Sequence, residues 1–435
     1  MTRAADLAIA RQDAATAEIP LLRSILFVAV LVLAWVSLHP FGDLAAADAL
    51  DLTSGNEMAT YALFAFFAAI GGALVWQSDR TALRALASPV LLLLAAWVVV
   101  SVITSQDGAT SAKRFVLLAC VSVTCASLFL LPQGRKDLAR LLAIATAVLL
   151  VLSYGGVMLV PHLAVHQFGD LAEPDLAGKW RGVFPHKNDA SAVFSTLVFL
   201  GIYIARAGDR HAGIGIAIAS VIFVLFSGGK SSTLICASAI LLSLAVQRSR
   251  SKFTWLVLIA TPLVLLNLFG LGSVAFPEIG SFVASLPVDA TFTGRTDVWR
   301  FALAHVPDHL AFGHGFSAFW NTASLRFGVE DNTVWAGNAS HAHNGYLDAV
   351  LAMGLPGLLL TLLAFVVAPA RDLYRASKRG ADPALHLMMM QIWLFGIYLS
   401  SLESFFFDRS NAIWITFLFS VLAIRYLSTF RICER

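Results

Sequence analysis

Twelve apolar runs, most close to 20 residues long and divided by short polar connections, govern what this chain can become. A hydrocarbon core of about 30 Å takes about 20 helical residues to cross. Within lipid a segment must satisfy its own backbone polar groups, which selects helices. The runs fall near 22–39, 59–76, 88–104, 115–131, 141–160, 189–205, 212–226, 231–247, 253–271, 346–368, 385–401 and 411–428. At 58% hydrophobic and 13% charged over 435 residues, the chain is too apolar for a soluble globule. The expected fold is an all-α polytopic membrane protein of about twelve transmembrane helices.

Sidedness follows from lysine and arginine. With the N-terminus inside, two thirds of the 30 basic residues lie on the inner side, in short loops, as the positive-inside rule requires. The net charge of +3 therefore reflects topology, and no basic run points to nucleic acid. The cations left outside, which resist that bias, are Lys113, Arg114, Lys179, Arg181, Lys187, Lys230, Arg295, Arg300, Arg326 and Arg409. Cys120, Cys125 and Cys236 lie in apolar spans and Cys433 in the inner tail, so no outer disulfide or thiolate cluster is expected. Ala45-Ala46-Ala47 resembles a signal-peptidase site, although the polar leader before the first run is long for a signal peptide.

Three segments result. Residues 1–271 hold nine transmembrane helices, with an outer loop at 161–188. Residues 272–344 form the longest polar excursion, and residues 345–435 hold the last three helices. Loops of such length inside a compact architecture are usually functional. Within the long loop, Thr296 to Val306 reads as an amphipathic interfacial helix with Val298, Phe301 and Ala302 on one side and Trp299 at headgroup depth. Asn321 to Asn338 is polar and turn-rich.

Four outer motifs share a layout in which a cation or imidazole stands just before a helix. They are Arg181-Gly-Val-Phe-Pro-His186-Lys187-Asn188, Ser227-Gly-Gly-Lys230, Thr293-Gly-Arg295-Thr-Asp297 and Ser340-His341-Ala-His343-Asn344. Free amides and the helix dipole favour anions at such ends, and added Lys or Arg points to phosphate or pyrophosphate. One such end alone would be a headgroup anchor; four on one face suggest a site. Ser227-Gly-Gly-Lys-Ser-Ser is not a nucleotide-binding loop, because its first glycine would fall at Val224 and no strand precedes it.

His343 is the best candidate for acid–base chemistry, because an imidazole of ordinary pKa about 6.5 exchanges a proton near neutrality. Asn344 and Asp348, four residues apart, share a helix face, which brings a carboxylate near the imidazole to orient it. His341 and His343 could also suggest a metal, but no HxxxH or HExxH pattern supports one; no metal is expected.

Thr293-Gly-Arg295-Thr-Asp-Val-Trp299, followed by His343-Asn-Gly-Tyr-Leu-Asp348 and Gly354-Leu-Pro-Gly357, resembles the signature of the O-antigen ligase and Wzy-type polymerase superfamily. Gly182-Val-Phe-Pro-His-Lys-Asn188 and Ser227-Gly-Gly-Lys-Ser231 resemble its ExoQ-like exopolysaccharide polymerase branch. The likeness covers residues 180–360 closely. It implies a GT-C-like, metal-independent glycosyltransferase with no cofactor, in the bacterial inner membrane, acting on the periplasmic face on glycans carried by undecaprenyl pyrophosphate. By motif, His343 corresponds to the family's general base and Arg295 to its loop arginine. Lys230 stands where ligases have arginine, so it offers a point charge in place of a bidentate fork.

The expected reaction is inverting polymerisation of lipid-linked repeats, with His343 and Arg295 catalytic and Lys230, Lys187, Arg181, His186, Asn188, Asn344, Asp348 and His341 around the pyrophosphate or substrate. Trp299, Trp320 and Trp335 are candidates for stacking on sugars. Partners would be membrane lipids, a repeat-unit flippase and a chain-length regulator. A ligase transferring glycan to lipid A core or to protein is the nearest alternative. A transporter fits less well, because ionisable residues concentrate on one face and are nearly absent from mid-span positions.

Overall fold

The computed structural model describes residues 20–36, 38–45, 57–171, 173–249, 251–287, 289–320, 339–408 and 411–430. Ala46, Ala47, residues 321–338 with Arg326 and Trp335, Arg409 and Cys433 lie outside the described residues. Among the described residues the regular structure is helical, apart from one antiparallel bridge between Val165 and Trp180.

The apolar helices stand where hydropathy places them. They are α1 Pro20–Val36, α2 Glu57–Leu86, α3 Pro89–Ile103, α4 Gly108–Leu130, α5 Arg135–Leu159, α6 Lys187–Ala207, α7 Arg210–Ser227, α8 Lys230–Arg248 and α9 Lys252–Phe269. After the short amphipathic α10, Arg295–Ala304, come α11 Gly345–Lys378, α12 Pro383–Leu399 and α13 Ala412–Thr429. Nine of them are long and apolar enough to cross a membrane, and α1, α3 and α12 are shorter apolar helices. The chain is an all-α multi-pass membrane protein. Polar caps set many boundaries: Ser88, Asp209, Ser251 and Asp382 each accept a first-turn amide, offsetting part of the cost of a helix start.

The chain divides into two compact units. The first contains Met1–Arg84, Cys120–Gly229 and Phe430–Arg435. Its hairpin of α6 and α7 packs backbone on backbone, because a Cβ on Gly213 would meet Ala205 N at 2.2 Å and one on Gly201 would meet Ala217 N at 2.7 Å. Small residues permit such close approach between membrane helices.

The second unit contains Ala85–Ala119 and Lys230–Thr429. Its centre is α12, buried from Ala384 to Leu399. Beside it α11 is broken at Gly354, whose φ of 67° and ψ of −173° precede Pro356. Backbone groups freed by a break in lipid must find partners, and the long loop supplies them. His314 N donates to Leu351 O at 2.7 Å and Leu355 N to Leu310 O at 2.8 Å, while Trp97 Nε1 reaches Met353 O at 2.9 Å. A Cβ at position 354 would lie 2.6 Å from the Ala311 backbone, so glycine is required there twice over. The loop is thereby anchored to the helix that begins beside His343.

Candidate functional site

His343 lies in the left-handed backbone region, with φ of 50°. Such a residue is uncommon and is retained only where its surroundings enforce it. The enforcement is visible on both sides of the peptide chain. Trp299 Nε1 donates to Ala342 O at 2.9 Å, the Asp348 carboxylate accepts from Ala342 N at 3.2 Å, and His341 Nδ1 accepts from His343 N at 3.2 Å. Asn344, fully buried, caps α11 by accepting from Tyr346 N and Leu347 N, both at 3.0 Å.

The other face of Asn344 joins this segment to the turn after α12. Its Nδ2 donates to Ser401 O at 2.9 Å and to Asn267 Oδ1 at 3.2 Å, and Gly345 N donates to Ser400 O at 2.8 Å. Glu403 N in turn donates to Leu399 O at 2.8 Å, continuing the end of α12. These bonds place the Glu403 carboxylate opposite His343. Its Oε2 lies 3.1 Å from His343 Nδ1 and its Oε1 lies 2.5 Å from an Arg295 guanidinium nitrogen.

Burial pushes the Glu403 carboxyl upward, but the hydrogen bond from His343 and the charge of Arg295 outweigh it and hold the group at about 2. An ionised carboxylate only accepts, so His343 Nδ1 is the donor in this contact and Nε2 is the ring nitrogen that Glu403 does not engage. His341, whose ring centroid is 4.2 Å from that of His343, is pushed down to about 4, first by burial and then by the electrostatic influence of the His343 ring beside it. It is neutral at physiological pH and serves the backbone.

Arg295 is presented by a second strained turn. Phe292, Thr293 and Gly294 all have positive φ, at 50°, 61° and 82°. Asp289 holds that turn, accepting from Thr291 N at 2.9 Å and Thr293 N at 2.8 Å. Its carboxyl is lowered first by a hydrogen bond from the Thr291 hydroxyl, at 2.6 Å, then by these backbone bonds and by the charge of Lys230. Lys230, exposed at the start of α8, therefore belongs to the same electrostatic neighbourhood as the Arg295 turn.

Several expectations change. Asp348 is not the carboxylate that orients His343: it binds Ala342 N and Trp320 Nε1, the latter at 2.7 Å, and Glu403 takes the imidazole. Asn344 is a buried cap with no surface for substrate. Trp299 is fully buried among Ala302, Phe319, Ala342, Leu347 and Leu351, so it neither sits at headgroup depth nor stacks on a sugar. The first amides of α6 and α11 are not free for an anion: His166 and His186 take those of Lys187 and Asn188, and Ser400 O and the Asn344 side chain take those of Gly345, Tyr346 and Leu347.

Arg181, His186, Lys187 and Asn188 lie in the first unit. Arg181 is 1% exposed and donates to Phe184 O at 3.1 Å and Gly42 O at 2.6 Å, so it ties loops together and is closed to pyrophosphate. His186 has both ring nitrogens engaged, with Glu173 Oε2 at 2.7 Å and Asn188 N at 3.1 Å. His166, paired with Asp170 at 2.9 Å, accepts from Lys187 N at 3.3 Å. The Lys187 ammonium donates to Asn188 Oδ1 at 3.1 Å.

Glu403 is the residue that sequence reasoning missed. Its only signal is a lone glutamate in the short connection between the last two apolar runs, on the same side as the surplus cations.

Residues 215–362 match the family described as O-Antigen ligase. The chain resembles the O-antigen ligase and ExoQ-like family. The Exopolysaccharide production protein ExoQ of Rhizobium meliloti (strain 1021) is 27% identical over 220 residues, which is 46% of this chain. The alignment spans 48% of that relative's length, so the chain matches about half of it. The matched family segment contains Lys230, Arg295, His341, His343, Asn344 and Asp348, and ends before Glu403.

Proposed function

We propose that this protein transfers a glycan from a lipid-linked pyrophosphate donor to a sugar hydroxyl, polymerising oligosaccharide repeats with inversion at the anomeric carbon. The observation that carries the reading is the Arg295–Glu403–His343 chain, in which one carboxylate touches both a cation and an imidazole. A base must be within reach of the proton it takes and have an open lone pair, and Glu403 leaves His343 Nε2 in that state.

In the step itself, His343 Nε2 accepts the proton of the acceptor hydroxyl as its oxygen bonds to the anomeric carbon. The bond from that carbon to the phosphate oxygen breaks, and the electron pair leaves with the lipid pyrophosphate. Arg295 and Lys230 stabilise the charge that develops on it, as preorganised cations do. Imidazolium then releases the proton to water. Glu403 stays ionised throughout and is a positioning residue.

The donor we assign is an undecaprenyl-pyrophosphate-linked repeat, the location the bacterial inner membrane, and the face the periplasmic one. A repeat-unit flippase would supply the donor and a chain-length regulator would set polymer size. These assignments rest on the resemblance to O-antigen ligases and ExoQ together with the distribution of Lys and Arg. The match to an O-Antigen ligase family supports a second reading, in which the acceptor is lipid A core or a protein.

Purified protein incubated with lipid-linked repeat, with and without EDTA, tests the proposal. A ladder of longer lipid-linked glycans, unchanged by chelation, is expected. Absence of any ladder with transfer to added lipid A core would replace polymerisation by ligation, and loss of activity with EDTA would overturn the metal-free step.

A further inference from the structure

The end of the second unit remote from His343 carries its own concentration of charge. The helix α11 leads away from its start beside Asn344, and α9, whose Asn267 bonds Asn344 near its last turn, begins at Lys252 at its other end, so Lys252, Tyr374 and Lys378 lie at the end of the unit remote from the site above. There the Lys252 ammonium, at the start of α9, stands 5.3 Å from the Tyr374 ring centroid, and the Lys378 ammonium stands 5.4 Å from the same ring. Trp255 closes the side of that ring edge-on, with centroids 5.4 Å apart. Two like charges from different helices thus share one aromatic platform.

Among the described residues neither lysine forms an ion pair with a carboxylate. Asp372, 3% exposed, is shared by Arg371 at 3.2 Å, Arg425 at 3.3 Å and Arg375 at 3.9 Å. Asp382 caps α12 through Leu385 N at 2.8 Å. Three guanidiniums on one carboxylate leave a local surplus of positive charge even before the two lysines are counted.

Beneath Lys252, the same helix exposes an apolar stripe. Phe253 is 73% exposed, Leu256 63% and Val264 58%, at helical spacings that place them along one face. A cationic head region above an apolar stripe matches an amphiphile with an anionic head and acyl chains. Basic pockets between helices at the membrane boundary recognise such lipids. A soluble phosphate would match the head region alone.

We propose that Lys252 and Lys378, set around Tyr374, bind the phosphate of an anionic phospholipid whose acyl chains lie along Phe253, Leu256 and Val264 of α9. The site is separate from the glycan chemistry at His343.

Delipidated full-length protein, incubated with equimolar phosphatidylglycerol and phosphatidylcholine and examined by native mass spectrometry, tests this directly. Wild type is expected to retain phosphatidylglycerol at least about fivefold over phosphatidylcholine, a surplus that shrinks with salt as electrostatic binding does. The double variant Lys252→Gln/Lys378→Gln, with unchanged melting temperature in detergent, is expected to lose the preference, while Lys252→Arg/Lys378→Arg keeps it. Should the glutamine pair fail to fold, Lys252→Gln alone is expected to reduce the preference. Equal retention of both lipids by wild type, or an undiminished preference in the glutamine variants, would overturn the proposal. Full displacement by excess glycerol 3-phosphate would also overturn it, by showing a site for soluble phosphate.

Discussion

His343 Nδ1 lies 3.1 Å from Glu403 Oε2 across 60 residues of sequence. The contact depends on the bonds that Asn344 and Gly345 make to Ser401 and Ser400, so the imidazole is oriented by the turn after α12 and not by its own helix. In Glu403→Gln the side chain can donate as well as accept, and the imidazole tautomer is no longer fixed. The expected result is a fall in kcat of about 100-fold, within the range for disabled acid–base catalysis, with a smaller change in KM. Glu403→Asp is expected to recover part of kcat. Initial rates over a range of donor concentration check this, and a pure KM effect would contradict it.

Trp299 is expected to act through the fold. Trp299→Ala removes a fully buried ring and leaves Ala342 O without its donor, at a cost of about 3 kcal/mol or more. A lowered melting temperature with loss of activity is the expected outcome. Trp299→Phe, which keeps most of the packing, should retain most of the stability. An Ala variant with wild-type melting and a raised acceptor KM would restore a sugar-stacking role.

Arg181→Ala is expected to lower the protein's stability and its abundance in the membrane, by about 2 kcal/mol or more for a charged donor removed from buried carbonyls. Arg181→Lys cannot reach both Phe184 O and Gly42 O with a planar fork, so little recovery is expected. Thermal melts and membrane quantification check this. A stable variant with a raised donor KM would return Arg181 to the pyrophosphate.

Acid sensitivity follows from His341 and Glu403. The folded pKa of His341, about 4, lies below the ordinary imidazole value of about 6.5. Its contribution to stability is therefore complete above about pH 6.5 and is lost as pH falls through 4. Glu403, held at about 2, acts in the same direction at lower pH, from about 4.3 downward. His341→Asn, which keeps an acceptor for His343 N, is expected to flatten the decline in melting temperature between pH 6.5 and 4. An unchanged slope would contradict this assignment.

The helices were legible because about 20 apolar residues in a row leave a chain in lipid little choice. α11 exceeds its expected span at the C-terminal end because a π turn at Leu363–Val367 leads into the basic segment Ala368–Lys378. The site was legible only in part. Arg295 and His343 sit in recognisable motifs, but Glu403 sits in none, and only tertiary packing brings it to the imidazole. Helix spacing brings Asp348 near Asn344 without saying which group its carboxylate binds, and only the fold gives it to Ala342 N and Trp320. The burial of Trp299 is not legible in sequence, because an apolar face on a short helix looks the same whether it meets lipid or the protein's own core.

The most direct test of His343 as the base is the rate of glycan transfer by purified His343→Ala beside wild type, each shown by thermal melting to be folded and supplied with lipid-linked repeat. The variant is expected to bind donor, accumulate no lengthened glycan and lose at least about 100-fold in transfer rate. Chain extension at the wild-type rate by the folded variant would contradict it.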